Sequence, residues 1–463
     1  MSTTTPVATR PSTDEAELPA RCADVVSRAR RAGADEAEAY ATRSESVSVT
    51  FEKGDLKGAQ VDESAALGLR VCCDKRLGFM STNQLGDAAF QSAARDAIDV
   101  ARCSLPDPHN ELCDPTPISG AALPIDRALL ALSASEVVDI GASLAARARA
   151  FDRRISIDSA TCSWSRMTRA VHSSRGVDAV ESDCVLSLQI MGMAIDGDDV
   201  GGIHYSGDVV RRRADVAGAV ERTVLDFARV AVENLGAARA ESYSGPVLFA
   251  PEAFLSVFVS PVIGAASALA VQRGRSFLAG RVGEAIAQPC FHVIDDPTDL
   301  DLAGARRFDR EGAPAARFTL VEHGKLASYM YNGYAARVEG RTSTGHASGG
   351  ARSVPGLGVH APVVLPGDGG DEAALCARVG RGLYVQRFSG TVDPASGDFS
   401  GVAKSARWIE GGRPVRSVRE TLLSGNAFAL LHRILALSST SKRSMGGSRA
   451  PWALVDGVKV TAG

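Results

Sequence analysis

No histidine in this 463-residue chain is followed by glutamate, and no two of its eight histidines stand three or four positions apart. A zinc-peptidase helix needs two imidazoles about one turn apart, with a glutamate beside the first, so that ligands and general base converge on one ion. The chain therefore has no such helix. Charge of either sign is also scarce in excess. The net charge is -3, and the one basic run, Arg211-Arg212-Arg213, reads as the solvated start of a helix. Direct nucleic-acid binding is excluded on that ground. The nine cysteines are odd in number and irregular in spacing, with Cys72-Cys73 adjacent, so neither a disulfide framework nor a CxxC site is expected. Met1 to Ala16 lacks the apolar core of a signal peptide, and a reducing, cytoplasmic setting is the expectation. No GxSxG elbow and no P-loop occur. The string Gly356-Leu357-Gly358-Val359-His360-Ala361 has dinucleotide-fingerprint spacing, but Pro362-Val363-Val364-Leu365 follows where a phosphate-capping helix should begin.

Hydrophobic residues make up 45% of the chain and charged ones 23%, a balance that predicts a globular protein of two domains. Ala253 to Gln272 is the one long uncharged stretch. Its serines, alanines and Pro261 dilute it, so the reading is a buried helix or helix pair broken near Pro261, with no membrane span. Helical spacing of Leu18, Cys22, Val25, Val26 and Ala29 predicts a first helix after a flexible tail over 1–15. Further helices are predicted over Ala88 to Cys103, Ala134 to Ala150 and Ala214 to Leu235. Strands are predicted at Ala37 to Thr42, Ser46 to Glu52 and Ala65 to Cys72, paired as antiparallel hairpins, and again at Arg153 to Ile157 and Val185 to Ala194. The turn-rich Ala237 to Pro246 marks a boundary. Beyond it the pattern is mostly strand, with tight hairpins at Glu322-His323-Gly324-Lys325 and Glu410-Gly411-Gly412-Arg413. The fold class is α+β: an N-terminal domain of antiparallel hairpins and amphipathic helices over 16–236, then a mostly antiparallel β domain over 237–463. Thr342 to Gly358 reads as a mobile or partner-ordered loop.

Carboxylates cluster at Asp295-Asp296 and Asp309-Arg310-Glu311-Gly312, and each doubles as a turn sequence. A metal site from remote ligands would have to draw on Cys290, His292, His346, His360, Asp309 and Glu311, which makes an independent hydrolase with non-standard ligands one alternative.

Several strings, in order, resemble the TldD/PmbA family: Gly33-Ala34-Asp35-Glu36-Ala37-Glu38, Gly68-Leu69-Arg70-Val71, Gln272-Arg273-Gly274-Arg275-Ser276-Phe277-Leu278, Phe308-Asp309-Arg310-Glu311-Gly312, Asp398-Phe399-Ser400-Gly401 and Trp452 to Val458. The resemblance implies a heteromeric peptidase in which one subunit carries an HExxxH zinc helix and a companion, PmbA or TldE, lacks it. This chain is similar to the companion. Placed without gaps from Gln272-Arg273-Gly274, the ligand helix falls near Val259, Ser260 and Gly264, and Ser441-Lys442-Arg443-Ser444-Met445 stands where zinc-bearing subunits have a cysteine ligand. No catalytic or metal-binding residue is carried over. The resemblance further implies zinc in a TldD-like partner, unfolded peptide as substrate in an enclosed channel, and a homodimer as the possible isolated form. Arg273, Gly274, Arg275, Ser276, Asp309, Glu311 and Gly312 are the candidate channel or interface residues. Because the family has been called a modulator of DNA gyrase, the other alternative is a regulatory binding protein acting indirectly on gyrase or on toxin-antitoxin peptides.

Overall fold

The computed structural model of the chain describes residues 13–119 and 122–463. Most of the expected tail, residues 1–12, lies outside them, and helix α1 (Thr13–Arg31) already includes 13–15. Its stripe Leu18, Cys22, Val25, Val26 and Ala29 is buried, as the helical spacing requires. Strands β1 (Glu36–Glu52) and β2 (Asp55–Cys73) form one long hairpin. Two strands were expected where β1 is one. Arg43-Ser44-Glu45 interrupts the apolar pattern, yet the ladders to both neighbours run through it. Next come β3 (Arg76–Thr82), α2 (Asp87–Cys103), α3 (Arg127–Leu130) and α4 (Ala134–Phe151). A capping box between Ser133 and Glu136 starts α4. Then β4 (Ile155–Ser173), β5 (Asp178–Asp196), β6 (Asp199–Val200), β7 (His204–Val210) and α5 (Val216–Glu233) complete the N-terminal half.

The antiparallel sheet has the order β3-β2-β1-β4-β5-β6, with β7 also on β5. Odd-numbered residues of β1 face the helices. Ala37, Ala39 and Ala41 pack in one cluster with α1 and α2, and Val47, Val49 and Phe51 in a second with α4 and α5. On the opposite face Tyr40, Val171 and Ala179 meet Phe308 and Ala351 from the C-terminal half.

That half opens with β8 (Ala238–Arg239) and β9 (Tyr243–Phe249), so the boundary segment itself contributes strand. The uncharged stretch follows as α6 (Pro251–Phe254), a π turn (Leu255–Val259), α7 (Ser260–Ala265) and α8 (Ala268–Gln272). Contrary to expectation the helix runs through Pro261 and breaks at 266–267. The π turn, in which Ser260 N–H donates to Leu255 O, widens the spiral just where a proline ring would strike the preceding turn. Shorter elements are β10 (Val293–Asp295), β11 (Phe318–Glu322), β12 (Lys325–Leu326), α9 (Gly333–Val338), β13 (Ala347–Ser348), β14 (Gly356–Leu357), β15 (Pro362–Val364) and α10 (Glu372–Val379). The chain ends with β16 (Gly382–Val392), β17 (Asp398–Glu410), β18 (Arg413–Arg419), β19 (Thr421–Asn426), α11 (Ala427–Leu431), β20 (Ile434–Ser444) and β21 (Ser448–Ala462).

Pairing is mostly antiparallel. Parallel contacts are β9 with β16, β15 with β21, and β8 with β18. A hydrogen-bonded circuit closes through β9, β16, β17, β19 and β21. Phe254 and Phe258 of the uncharged stretch lie in the same core as Phe249, Phe399 and Leu423 from this circuit. Burying them follows from their lack of any charged neighbour. The architecture is α+β, as expected. The loop 342–358 departs from its reading: His346, Ala347 and Ala351 are buried, and a Cβ on Gly68 of β2 would sit 2.3 Å from Ala351 O. It is packed against the N-terminal sheet.

Candidate functional site

Asp309, Arg310 and Glu311 lie between the two sheets. Arg310 is 2% exposed and Glu311 fully buried. Four charges alternate across this seam. Arg310 Nη1 bonds Glu38 Oε1 at 3.2 Å, Arg70 Nη2 bonds Glu38 Oε2 at 2.7 Å, and Arg70 Nη1 reaches Glu311 Oε1 at 2.8 Å. The Arg310 guanidinium also stands 4.1 Å over the Tyr40 ring. Burial alone would raise the Glu311 carboxyl, but Arg70 and the Gly333 N–H, 2.7 Å away, hold it below its ordinary value. Asp309 behaves oppositely. Burial and the charge of Glu311 push it up to about 7, against three backbone N–H donors from Ala347, Glu311 and Ala313. Gly312, at φ 81°, completes the turn, and a Cβ there would lie 2.4 Å from Val177 Cγ1 of the other half. These three candidates are therefore placed in the joint between the N-terminal and C-terminal halves of the chain.

The other candidates sit elsewhere. Arg273, Gly274 and Arg275 are exposed on the turn after α8. Ser276 Oγ donates to Ala265 O and accepts from Leu278 N–H, which ties that turn to α7. Arg211, expected in solvent, is buried: it pairs with Asp183 at 2.9 Å and donates to the carbonyls of Leu300, Leu302 and Ala303. His346 and His360 stack with ring centroids 5.6 Å apart; His346 Nε2 lies 3.3 Å from Asp295, which also accepts the backbone N–H of His360, while the His360 ring meets Gly345 O. His292 instead meets His323. Among the described residues, no three His, Cys, Asp or Glu side chains are grouped so as to hold a metal ion.

A cavity of about 130 Å³ opens between β7 and α5 on one side and α6, β16 and the end of β20 on the other. Pro251 and Glu252, the first residues of α6, line it together with Lys442 to Met445, the segment singled out for its missing cysteine. Tyr205 donates its hydroxyl to Glu252, whose carboxyl burial raises above the usual range. Lys442 pairs with Asp226; burial would raise that carboxyl, but the ammonium keeps it low. His204 is buried, and burial pushes its imidazole down to about 3, so it is neutral at physiological pH. Sequence reading missed Glu252 because the uncharged stretch begins one residue later, at Ala253. His204 and Asp226 carried no motif at all.

The model of the PmbA/TldA metallopeptidase C-terminal domain matches residues 242–462, and that of PmbA/TldA metallopeptidase domain 1 matches 37–101. The chain belongs to the PmbA/TldD metallopeptidase family. A metalloprotease PmbA homolog of Haemophilus influenzae is 26% identical over 432 residues, 92% of each chain. A metalloprotease TldD homolog of the same organism is 24% identical over 429 residues, 89% of this chain and 87% of its own. The crystal structure of TldE from Thermococcus kodakarensis shares the fold at TM-score 0.85 and 24% identity, covering 95% of this chain and all of that one. No helix among the described residues is long and apolar enough to cross a membrane.

Proposed function

We propose that this chain is the non-catalytic, PmbA/TldE-like subunit of a cytoplasmic peptidase whose zinc resides in a TldD-like partner and whose channel takes unfolded peptide. The observation that carries the reading is the make-up of the α6 cavity. If the HExxxH pattern is counted from the first residue of α6, it falls on Pro251, Glu252 and Ser256. This register differs from the placement near Val259, which is fully buried in the core. The α6 register sets Pro251 and Glu252 beside Lys442 to Met445, with Ser256 exposed further along. Glutamate is then present, but a proline ring and a hydroxyl replace the two imidazoles, and neither is a zinc ligand of the usual kind. Lys442 brings an ammonium group into the same space, which repels a dication. The residues present do not fit zinc.

Peptide handling fits the strand edges. The outer side of β2 from Asp55 to Ala66 carries no partner strand among the described residues, since β3 begins pairing only at Leu67. Backbone bonds at such an edge, each worth about 1 kcal/mol net, hold an extended peptide with little regard to its sequence. The test is reconstitution. The purified chain should leave an unfolded peptide uncut, and adding the TldD-like protein of the same organism should start cleavage; cleavage by the lone chain would overturn the assignment.

A further inference from the structure

Cations outnumber carboxylates in the α6 cavity: Arg222, Arg229, Arg387, Lys442 and Arg443 face Asp208, Asp226 and Glu252. Pairing leaves a remainder. Asp208 is taken by Arg222 and Arg443 and Asp226 by Lys442, while Glu252 accepts from Tyr205 and lies in the field of Arg387 and Lys442 without an ion pair to either among the described residues. Arg387 lies 3.9 Å over the Tyr205 ring and donates to Ile203 O at 2.9 Å, while its buried Nε has no hydrogen-bond partner among the described residues. His204 is 4% exposed; its Nδ1 is 3.4 Å from Ser405 Oγ, and Nε2 on the far side of the ring has no hydrogen-bond partner among the described residues. If the Ser405 hydroxyl donates to Nδ1, the neutral ring carries its proton on Nε2, where it can be donated. A buried donor left unmade is costly, at about 1–3 kcal/mol, so orphaned donors beside surplus positive charge mark a place for an anion.

Size and walls narrow the anion. At about 30 Å³ per water, the cavity holds roughly four waters, enough for a carboxylate, its α-carbon and a short side chain. Tyr205, Tyr384, Met445 and Trp452 supply the apolar surface such a side chain needs. We propose that this cavity binds the C-terminal carboxylate of an extended peptide, with Arg387 and His204 Nε2 as donors and Lys442 as the nearby charge. The inference rests on the peptide-handling reading above. It gives the subunit a task of its own: anchoring the end of a peptide rather than only walling a channel.

The test uses the full chain and an N-acetylated tetra-alanine peptide in two forms, free acid and C-terminal amide, followed by Trp452 fluorescence and calorimetry. The acid should bind saturably and the amide at least tenfold more weakly. Arg387→Gln should remove that preference, with the acid then binding no more tightly than the amide. Equal binding of acid and amide, no saturable binding of either, or inorganic phosphate binding as tightly as the acid would each overturn the proposal. The acid and amide comparison uses the unaltered chain, so it stands even where Arg387→Gln does not fold. A negative result leaves the subunit assignment intact, because reconstituted cleavage tests that separately.

Discussion

The seam at Arg310 and the cavity at Glu252 are both polar places where the two domains meet, yet their charges are arranged differently. In the seam two arginines alternate with two glutamates in one continuous run of ion pairs, with the two signs equal in number. In the cavity five cations face three carboxylates around a void. Buried charge that is matched within the chain holds domains together. Buried charge left unmatched, with room beside it, is arranged for something the chain does not itself contain. The difference assigns structure to the first and binding to the second.

The sharpest way to break this comparison is Arg70→Leu. It strands Glu38 and Glu311 without their shared cation, and a stability loss of about 3–5 kcal/mol is expected by urea unfolding. A loss below about 1 kcal/mol would deny the seam its structural part. Next in size is Gly312→Ala, which meets a positive φ and the close Val177 methyl together; about 2–3 kcal/mol is expected, with a lowered melting temperature as the readout.

Asp309 tests the seam by pH. Its folded pKa, about 7, lies above the ordinary value of 3.8, so the folded state holds the proton more tightly than the unfolded one. Its contribution is fully present below pH 4 and fades as pH rises through 7. Relative to Asp309→Asn, the unaltered chain should therefore lose stability between pH 4 and pH 7, on the order of 3 kcal/mol. A flat difference would contradict the shift. The smallest effect belongs to the cavity: Arg387→Gln breaks no ion pair and should change unfolding free energy by under about 1 kcal/mol. If it cost as much as Arg70→Leu, the two regions would be alike and the comparison would fail.

Much of the fold was legible because its signals are local. The α1 stripe and the Glu322 to Lys325 and Glu410 to Arg413 turns all depend on residues a few positions apart. The continuity of β1 was not, since Arg43 to Glu45 are tolerated between two helix-covered patches by ladders to distant strands. Pro261 misled because a π turn one residue upstream relieves it. The site was legible only in part. Asp309 to Gly312 stood out as a string, but its function as a joint depends on Glu38, 272 positions away from Arg310. The cavity residues His204, Glu252, Arg387 and Lys442 come from four separate elements, and no spacing rule connects them.

The central claim is that this chain is built without a zinc site and depends on a partner for chemistry. Metal content of the isolated, folded chain after equilibration with zinc and removal of free ion tests it most directly. Far less than one zinc per chain is expected, with stoichiometric zinc appearing only when the TldD-like partner co-purifies. One tightly held zinc per isolated chain, lost in Glu252→Ala, would contradict it.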